Sequence, residues 1–260
     1  MAFKLGDIIV DRIHSGVAED FDGNLLYLLT QLADGTIDIT AESKDAVDKD
    51  GTLVKRFYNA KTGTFAANNA MINVNVIGAK SGSNPEIASE ENPIVMPKTI
   101  TVKAGSTVKL DNFVEGTVKV KAMDVNGTLG EAYTLDAAAS ASAFAIAEDG
   151  TLTLPSAADV VQYFVKYQRT VKAGVAVRNR ADKFPETIRL TLKVLAVDPC
   201  QADTLKAAYI EFPSFQPSPE LSISLTTDAQ LEYSGDLQVN YCSLDKELFS
   251  FYWADEDEEE

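Results

Sequence analysis

The residues best suited to chemistry in this chain are its carboxylates. Asp48-Lys49-Asp50-Gly51 and Asp124-Val125-Asn126-Gly127-Thr128 each set oxygen ligands beside a glycine, as a calcium loop does. Neither has the ligand spacing or the closing bidentate Glu of an EF-hand, and tight turns use the same residue types for backbone reasons. Both segments are therefore read as turns, and no metal site is expected. Histidine occurs once, at His14, which removes multi-His metal sites and most His-based catalysis. It is read as a surface residue near the N-terminus. No Ser sits in a Gly-x-Ser-x-Gly elbow, and no phosphate-binding Gly-rich loop follows a strand. Carboxylates are abundant, yet no one pair stands out for glycoside hydrolysis. The catalytic, cofactor and metal sets are expected to be empty, and the protein is expected not to be an enzyme.

Cys200 and Cys242 are too few for a disulfide scaffold and have no Cys partner at metal-ligand spacing. They read as two buried thiols of a chain made in a reducing cytoplasm. Both end candidate strands, so a disulfide between them is the alternative.

Charge narrows the partners. In 260 residues, 23 Lys and Arg stand against 39 Asp and Glu, a formal net charge of −16. Tight binding to a nucleic-acid backbone needs clustered cations, and docking on an anionic membrane needs them too. Arg178-Asn179-Arg180 and Lys166-Tyr167-Gln168-Arg169 are the densest basic spots and read as polar strand faces or as partners for acidic neighbours. The opening Met1-Ala2-Phe3-Lys4-Leu5-Gly6-Asp7 lacks a cationic patch followed by an apolar core, so no secretory signal is expected.

The elements that must carry these residues are strands. Asp34-Gly35-Thr36, Asp50-Gly51-Thr52, Asn126-Gly127-Thr128 and Asp149-Gly150-Thr151 share one form, which suits tight hairpin turns. Apolar and polar residues alternate in 36–40, 99–103, 117–121, 151–154, 187–194 and 221–225. Many such runs separated by turns predict an all-β antiparallel sandwich or barrel. Asp20 to Leu32 fits a buried strand or a short helix. Ala66 to Ala79 is also two-valued. Asn68-Asn69 and Gly78 suit helix caps, whereas Ile72, Val74 and Val76 alternate as in a strand. Tyr209 to Glu220 has three prolines and three aromatics, a content that argues against a central strand. It reads either as a strand ending in a rigid loop or as a loop that docks on another chain.

Composition shifts at Ser81-Gly82-Ser83-Asn84-Pro85 and near Val160. One reading is a discontinuous β domain over 1–84 and 160–254 with a β module over 85–159 inserted in it. Two consecutive domains is the other. The last six residues, Asp255-Glu256-Asp257-Glu258-Glu259-Glu260, are all carboxylates and are expected to be disordered.

In its order of segments the chain resembles the tail tube (major tail) proteins of long-tailed bacteriophages. The resemblance is carried by Thr36-Ile37-Asp38-Ile39-Thr40-Ala41-Glu42-Ser43-Lys44, the charged hairpin Asp48-Lys49-Asp50-Gly51, and Lys55-Arg56-Phe57-Tyr58-Asn59-Ala60-Lys61-Thr62-Gly63-Thr64-Phe65-Ala66-Ala67-Asn68-Asn69-Ala70. It continues in Asp182-Lys183-Phe184-Pro185-Glu186-Thr187, Asn240-Tyr241-Cys242-Ser243 and Lys246-Glu247-Leu248-Phe249. That family follows such a hairpin with a short helix, which favours a helix over Ala66 to Ala79. The middle module departs from the pattern, although Ig-like additions occur on tube proteins. The resemblance implies a virion structural protein, made in the host cytoplasm and carried in the tail. Its subunits join strands into usually hexameric rings, and the rings stack into a tube that conducts the genome. The implied partners are further copies of itself, other tail proteins, with a sheath as one option among them, and DNA that passes without specific binding. Two alternatives share the composition: a capsid-associated or other virion β protein, and a carbohydrate-binding or adhesive surface module.

Overall fold

The computed structural model describes residues 7–199, 204–227, 230–239 and 245–258. Cys200 and Cys242, and with them the question of their pairing, lie outside the described residues. The fold is all-β, with one helix among the described residues. Contacts divide the chain into two compact units, residues 1–85 with 177–260 and residues 86–176.

The first unit holds β1 (Ile9–Glu19), β2 (Leu25–Leu29), β3 (Leu32–Val47), β4 (Leu53–Asn69) and α1 (Val74–Ser81). The second holds β5 (Glu86–Ile87), β6 (Ile94–Lys103), β7 (Val108–Lys109), β8 (Lys119–Met123), β9 (Leu129–Leu135), β10 (Ala143–Ile146), β11 (Thr151–Thr153), β12 (Gln162–Val171) and β13 (Val175–Ala176). The chain returns to the first unit with β14 (Ile188–Val197), β15 (Lys206–Pro217), β16 (Leu231–Leu237) and β17 (Ser250–Glu258).

In the first unit the strands run β2-β1-β14-β15-β16-β4-β3, all antiparallel, with β17 added on β15. The sheet curls into a nearly closed barrel. Its ends come together where Ile13 of β1 lies against Gly35 of β3, so closely that a Cβ at Gly35 would sit 2.5 Å from Ile13 Cδ1. Period-two burial fills the interior: Leu231, Tyr233 and Leu237 of β16 point in, and Glu232 and Asp236 between them point out. Phe65 of β4 packs on Phe212 and Phe215 of β15 at ring-centroid distances of 5.3 and 6.1 Å, and Phe215 packs on Tyr233 at 5.7 Å. Fully buried aromatics of this size dominate a core's energetics.

Four local expectations need correction. Residues 221–225, whose alternation reads as a strand, lie outside every strand of the fold. Asp34-Gly35-Thr36 is no hairpin turn but an irregularity inside β3, where the pairing to β4 slips between Ala33 and Thr36 and Asp34 takes φ 52°. The residue types that suit a tight turn suit a bulge equally. The helix starts at Val74 rather than Ala66, because β4 runs to Asn69 and Asn73 supplies the N-cap, its side chain accepting from the Asn75 amide. The helix ends at Gly82 with φ 61°, and Gly78 lies within it, where a Cβ would meet Ser83 O at 2.9 Å. Finally, Pro213 and Pro217 both lie in β15, a central strand. Pro213 is tolerated because it falls in a gap between the two strands that share that edge. There β17 pairs with Lys206–Glu211 and β16 with Phe215–Pro217, and the β14 register shifts opposite it.

Two boundaries also differ from the sequence reading. Gln162–Val171 pairs with β6 and β8, so that strand belongs to the middle unit, which extends to Ala176. The acidic terminus, expected to be disordered, continues β17 as far as Glu258. Between Asp20 and Leu32 the chain makes a turn and then the strand β2.

Hairpin turns repeat one device. The Asp48 carboxylate accepts from the amides of Asp50 and Thr52, at 2.9 and 2.8 Å, and Gly51 takes φ 83°. Asp20 does the same for Asp22 and Asn24, and Asp124 for Asn126 and Thr128. The carboxylates that resemble calcium ligands in sequence are thus spent on their own backbone. The Asn24 side chain, with the Asn24 amide, holds the Asp20 carboxyl below its usual value, and the Thr52 and Asp50 amides do the same for Asp48.

The middle unit has sheet order β6-β12-β8-β9-β10-β11-β7, with β9 and β10 parallel. Its core alternates along β12 as Tyr163, Val165 and Tyr167. Tyr163 packs edge-on against Tyr133 at 5.5 Å and donates to Pro155 O at 2.8 Å.

In the barrel, the hydroxyls of Tyr27 and Tyr233 share a hydrogen bond of 2.8 Å. Burial pushes Tyr27 up to about 12, against the smaller lowering by its bond to Tyr233. Burial and the neighbouring Tyr27 push Tyr233 well above 10. Unfolded tyrosine ionises near its ordinary value of 10, so this stabilisation is complete below pH 10 and is lost as pH rises through about 12. Urea midpoints should therefore fall across that interval, and Tyr27→Phe should flatten the fall. An equally steep decline in the variant would show that the pair is not its source.

Candidate assembly surface

The β3–β4 hairpin outgrows the barrel that roots it. Its inner part, Leu32–Ile39 against Gly63–Asn69, pairs within the sheet and buries Gly63, Phe65, Ala67 and Asn69. Beyond it the ladder continues, with shifts at Ala41/Ser43 and Ala46/Val47, to the turn at Asp48–Thr52. Every residue from Thr40 to Thr62 is exposed. This ribbon has no core on either face.

Its internal contacts are polar and solvated. Arg56 grips Asp45 across the strands with two bonds, Nε to Oδ1 at 2.7 Å and Nη2 to Oδ2 at 3.0 Å. The guanidinium holds the Asp45 carboxyl below its ordinary value. Thr40 and Thr62 hydroxyls meet at 3.0 Å, and Lys55 Nζ stands 5.1 Å from the Phe57 ring centre. Exposed pairs of this kind contribute little, and a two-stranded ribbon alone is marginally stable in water. The ribbon nevertheless displays Val47, Leu53, Val54, Phe57 and Tyr58, each more than half exposed. Large apolar side chains exposed together on one ribbon make it a candidate interaction surface.

Charge sets the ribbon apart. Lys44, Lys49, Lys55, Arg56 and Lys61 outnumber Glu42, Asp45, Asp48 and Asp50, whereas the whole chain carries −16. A weakly cationic ribbon on an acidic body is complementary to another such body. At its root lies an open groove of about 650 Å³, lined by Ile39, Ala60, Lys61, Val239, Leu248 and Phe249 among others.

The other residues singled out by sequence lie apart from this surface. His14 is exposed on β1, beside the seam lined by Ile13, Leu28, Leu32 and Ala70. Lys166 points outward from β12 while Tyr167 is buried in the core of the middle unit, so these neighbours form no basic-aromatic platform. Among the described residues no group of three or more His, Cys, Asp or Glu could hold a metal ion. No helix among them is long and apolar enough to cross a membrane. One group the sequence did not flag is Lys80 of α1. It is buried and donates to Glu232 O at 3.0 Å, and burial pulls its pKa down. It fastens the helix to β16.

The ribbon could not be recognised from residue pattern. Lys55-Arg56-Phe57-Tyr58-Asn59-Ala60-Lys61 has no period of two because neither face is buried. The available signal was the length of the hairpin about Asp48–Thr52.

A sequence profile of the YomU/Tube protein family matches residues 8–241. The match spans most of the chain, and the chain belongs to this structural, phage-type tube family. No curated protein matches it.

Because the ribbon is solvated on both faces, brief trypsin treatment of the unassembled protein should cut first at Lys49 and at Lys55-Arg56. The two large fragments should stay associated through β3 and β4. First cuts confined to other segments would contradict the solvated ribbon.

Proposed function

We propose that this member of the YomU/Tube family is a tail tube subunit, which self-assembles into stacked rings around a channel for genome delivery. The observation that carries the reading is the ribbon from Thr40 to Thr62, exposed throughout yet rich in apolar side chains. Such a ribbon gains by lying on a neighbouring copy, and strand edges supply the geometry for joining subunits. The barrel also leaves Leu25, Leu26 and Leu28 of β2 exposed at one end of its sheet. An edge of this kind invites pairing unless a neighbour covers it.

The rest follows from charge and composition. A formal charge of −16 per subunit, repeated around a ring, gives a wall that repels DNA phosphates and lets the genome slide without being bound. The role is structural, with no reaction to perform. The subunit's place is the virion tail, and its other partners are further tail proteins. The middle unit is proposed as a module inserted in the tube domain.

Negative-stain microscopy and sedimentation of concentrated protein should show hollow rings or tubes. Val54→Asp/Phe57→Asp should remain monomeric under the same conditions, with unfolding free energy unchanged within about 0.5 kcal/mol because both sites are surface positions. Tubes formed equally well by the variant would remove the ribbon from the interface. A compact trimer or a sheet-like lattice in the wild type would favour a capsid-associated role.

A further inference from the structure

The outer edge of β15 is filled in an unusual way. One edge of this strand is paired with β14 along most of its length. On the other edge, β16 pairs with Phe215–Pro217 alone. The remaining edge, Lys206 to Glu211, is covered by the chain's own C-terminal strand β17. With β17 in place this stretch is well covered: Lys206, Ala207 and Ala208 are each no more than 3% exposed. Its backbone groups need a strand, since buried amides and carbonyls left unpaired are costly.

The strand that covers it is poorly held. Successive residues of a strand point to opposite faces, and in β17 the consecutive Phe251 and Tyr252 are 43% and 52% exposed. Neither face of this part of the strand is therefore buried. The ladder is regular only from Glu211↔Ser250 to Ala208↔Trp253. Beyond it, the next pair is Lys206↔Glu258, so β17 advances five residues while β15 advances two. A buried face is what normally fixes register, and strands without one are prone to slip and to swap. The backbone bonds of β17 thus satisfy β15, while Phe251 and Tyr252 remain wetted and Ser250 and Trp253 are only half-buried.

Topology allows the same strand to serve a neighbour. Residues 238–249 connect β16 to β17. Extended, such a connection reaches about 40 Å. A swapped strand makes the same contacts on a second copy as it made on its own, so exchange costs little beyond association itself. Phe249, Phe251 and Tyr252, wetted in the free chain, would then be available to the interface between copies.

We propose that the β15 edge over Lys206–Glu211 is a strand-exchange site, occupied by the chain's own β17 when free and by β17 of a second copy when assembled. This inference rests on the self-assembly reading above, and it names the element that links one copy to the next. The C-terminal carboxylates tune it. The run from Asp255 to Glu260 repels its counterparts on neighbouring chains, and salt screens that repulsion. Exchange should therefore be favoured at higher ionic strength.

Disulfide trapping between two separately made chains tests the exchange. In a background with Cys200→Ser and Cys242→Ser, one chain carries Ile210→Cys and the other Phe251→Cys, residues that face each other in the ladder. Tyr209→Cys with Tyr252→Cys provides the adjacent pair, because neighbouring antiparallel pairs alternate in spacing and one of them should suit a disulfide. The chains are mixed, concentrated, oxidised with copper phenanthroline and run on a denaturing gel. A cysteine on β15 of one chain joined to a cysteine on β17 of the other requires the strand to cross between copies. Heterodimer at least about ten times more abundant in the concentrated mixture than in a dilute one supports the exchange, and added salt should raise the yield. Absence of heterodimer from both pairs overturns it, whether or not particles form. A chain with both substitutions, which should close its own disulfide, confirms that each pair is competent. Particles without heterodimer would leave the tube reading standing and remove only the exchange. Heterodimer without particles would keep the exchange and remove the tube.

Discussion

The packing of Phe65 against Phe212 and Phe215 is the contact on which the rest of the first unit depends. It ties β4, the strand that leaves the barrel as the ribbon, to β15, the central strand whose outer edge is shared by β16 and β17. Both surfaces assigned to assembly are therefore anchored on one aromatic cluster. Phe215 extends the cluster to Tyr233, and Tyr233 to Tyr27 at the far end of the sheet. A close-packed interior of this kind fixes the root of the ribbon in position while its outer part remains solvated.

The division of labour along β3 and β4 follows from a simple rule. Where the hairpin crosses the core it alternates, with Gly63, Phe65 and Ala67 inward and their neighbours outward. Where it leaves the core the alternation ends, and Asp45–Arg56 and the Asp48 turn take over. Solvated bonds of that strength hold a shape without making it stable. The outer ribbon is accordingly the element that has most to gain from a partner.

Much of the architecture was legible because it is local. The Asp-x-Asp/Asn-Gly turns at Asp48 and Asp124 read directly, since the carboxylate and the left-handed glycine act within five residues. The alternation of Ile188-Arg189-Leu190-Thr191-Leu192 reads as a strand because one of its faces is buried. Errors arose where one residue type serves two local geometries, or where a distant element decides. Asp34-Gly35 makes a bulge instead of a turn because the hairpin continues past it. Pro213 sits in a central strand because two other strands divide its edge and leave a gap opposite it. Of the proposed assembly surface only the charged hairpin could be seen in advance. Exposure of Phe57 and Tyr58 on a ribbon without a core is a property of the fold, and sequence periodicity carries no trace of it.

The central claim is that the ribbon is solvated in the free chain and covered in the assembled one. Amide hydrogen exchange over Lys44 to Tyr58, measured on the dilute protein and on assembled particles, tests this most directly. The account predicts that exchange there slows by roughly ten-fold or more on assembly, as when marginal local structure gains a partner, while the buried strands β14 and β15 change little. Equal exchange in the two states would contradict it, because the ribbon would then remain as wet in the particle as in the free chain.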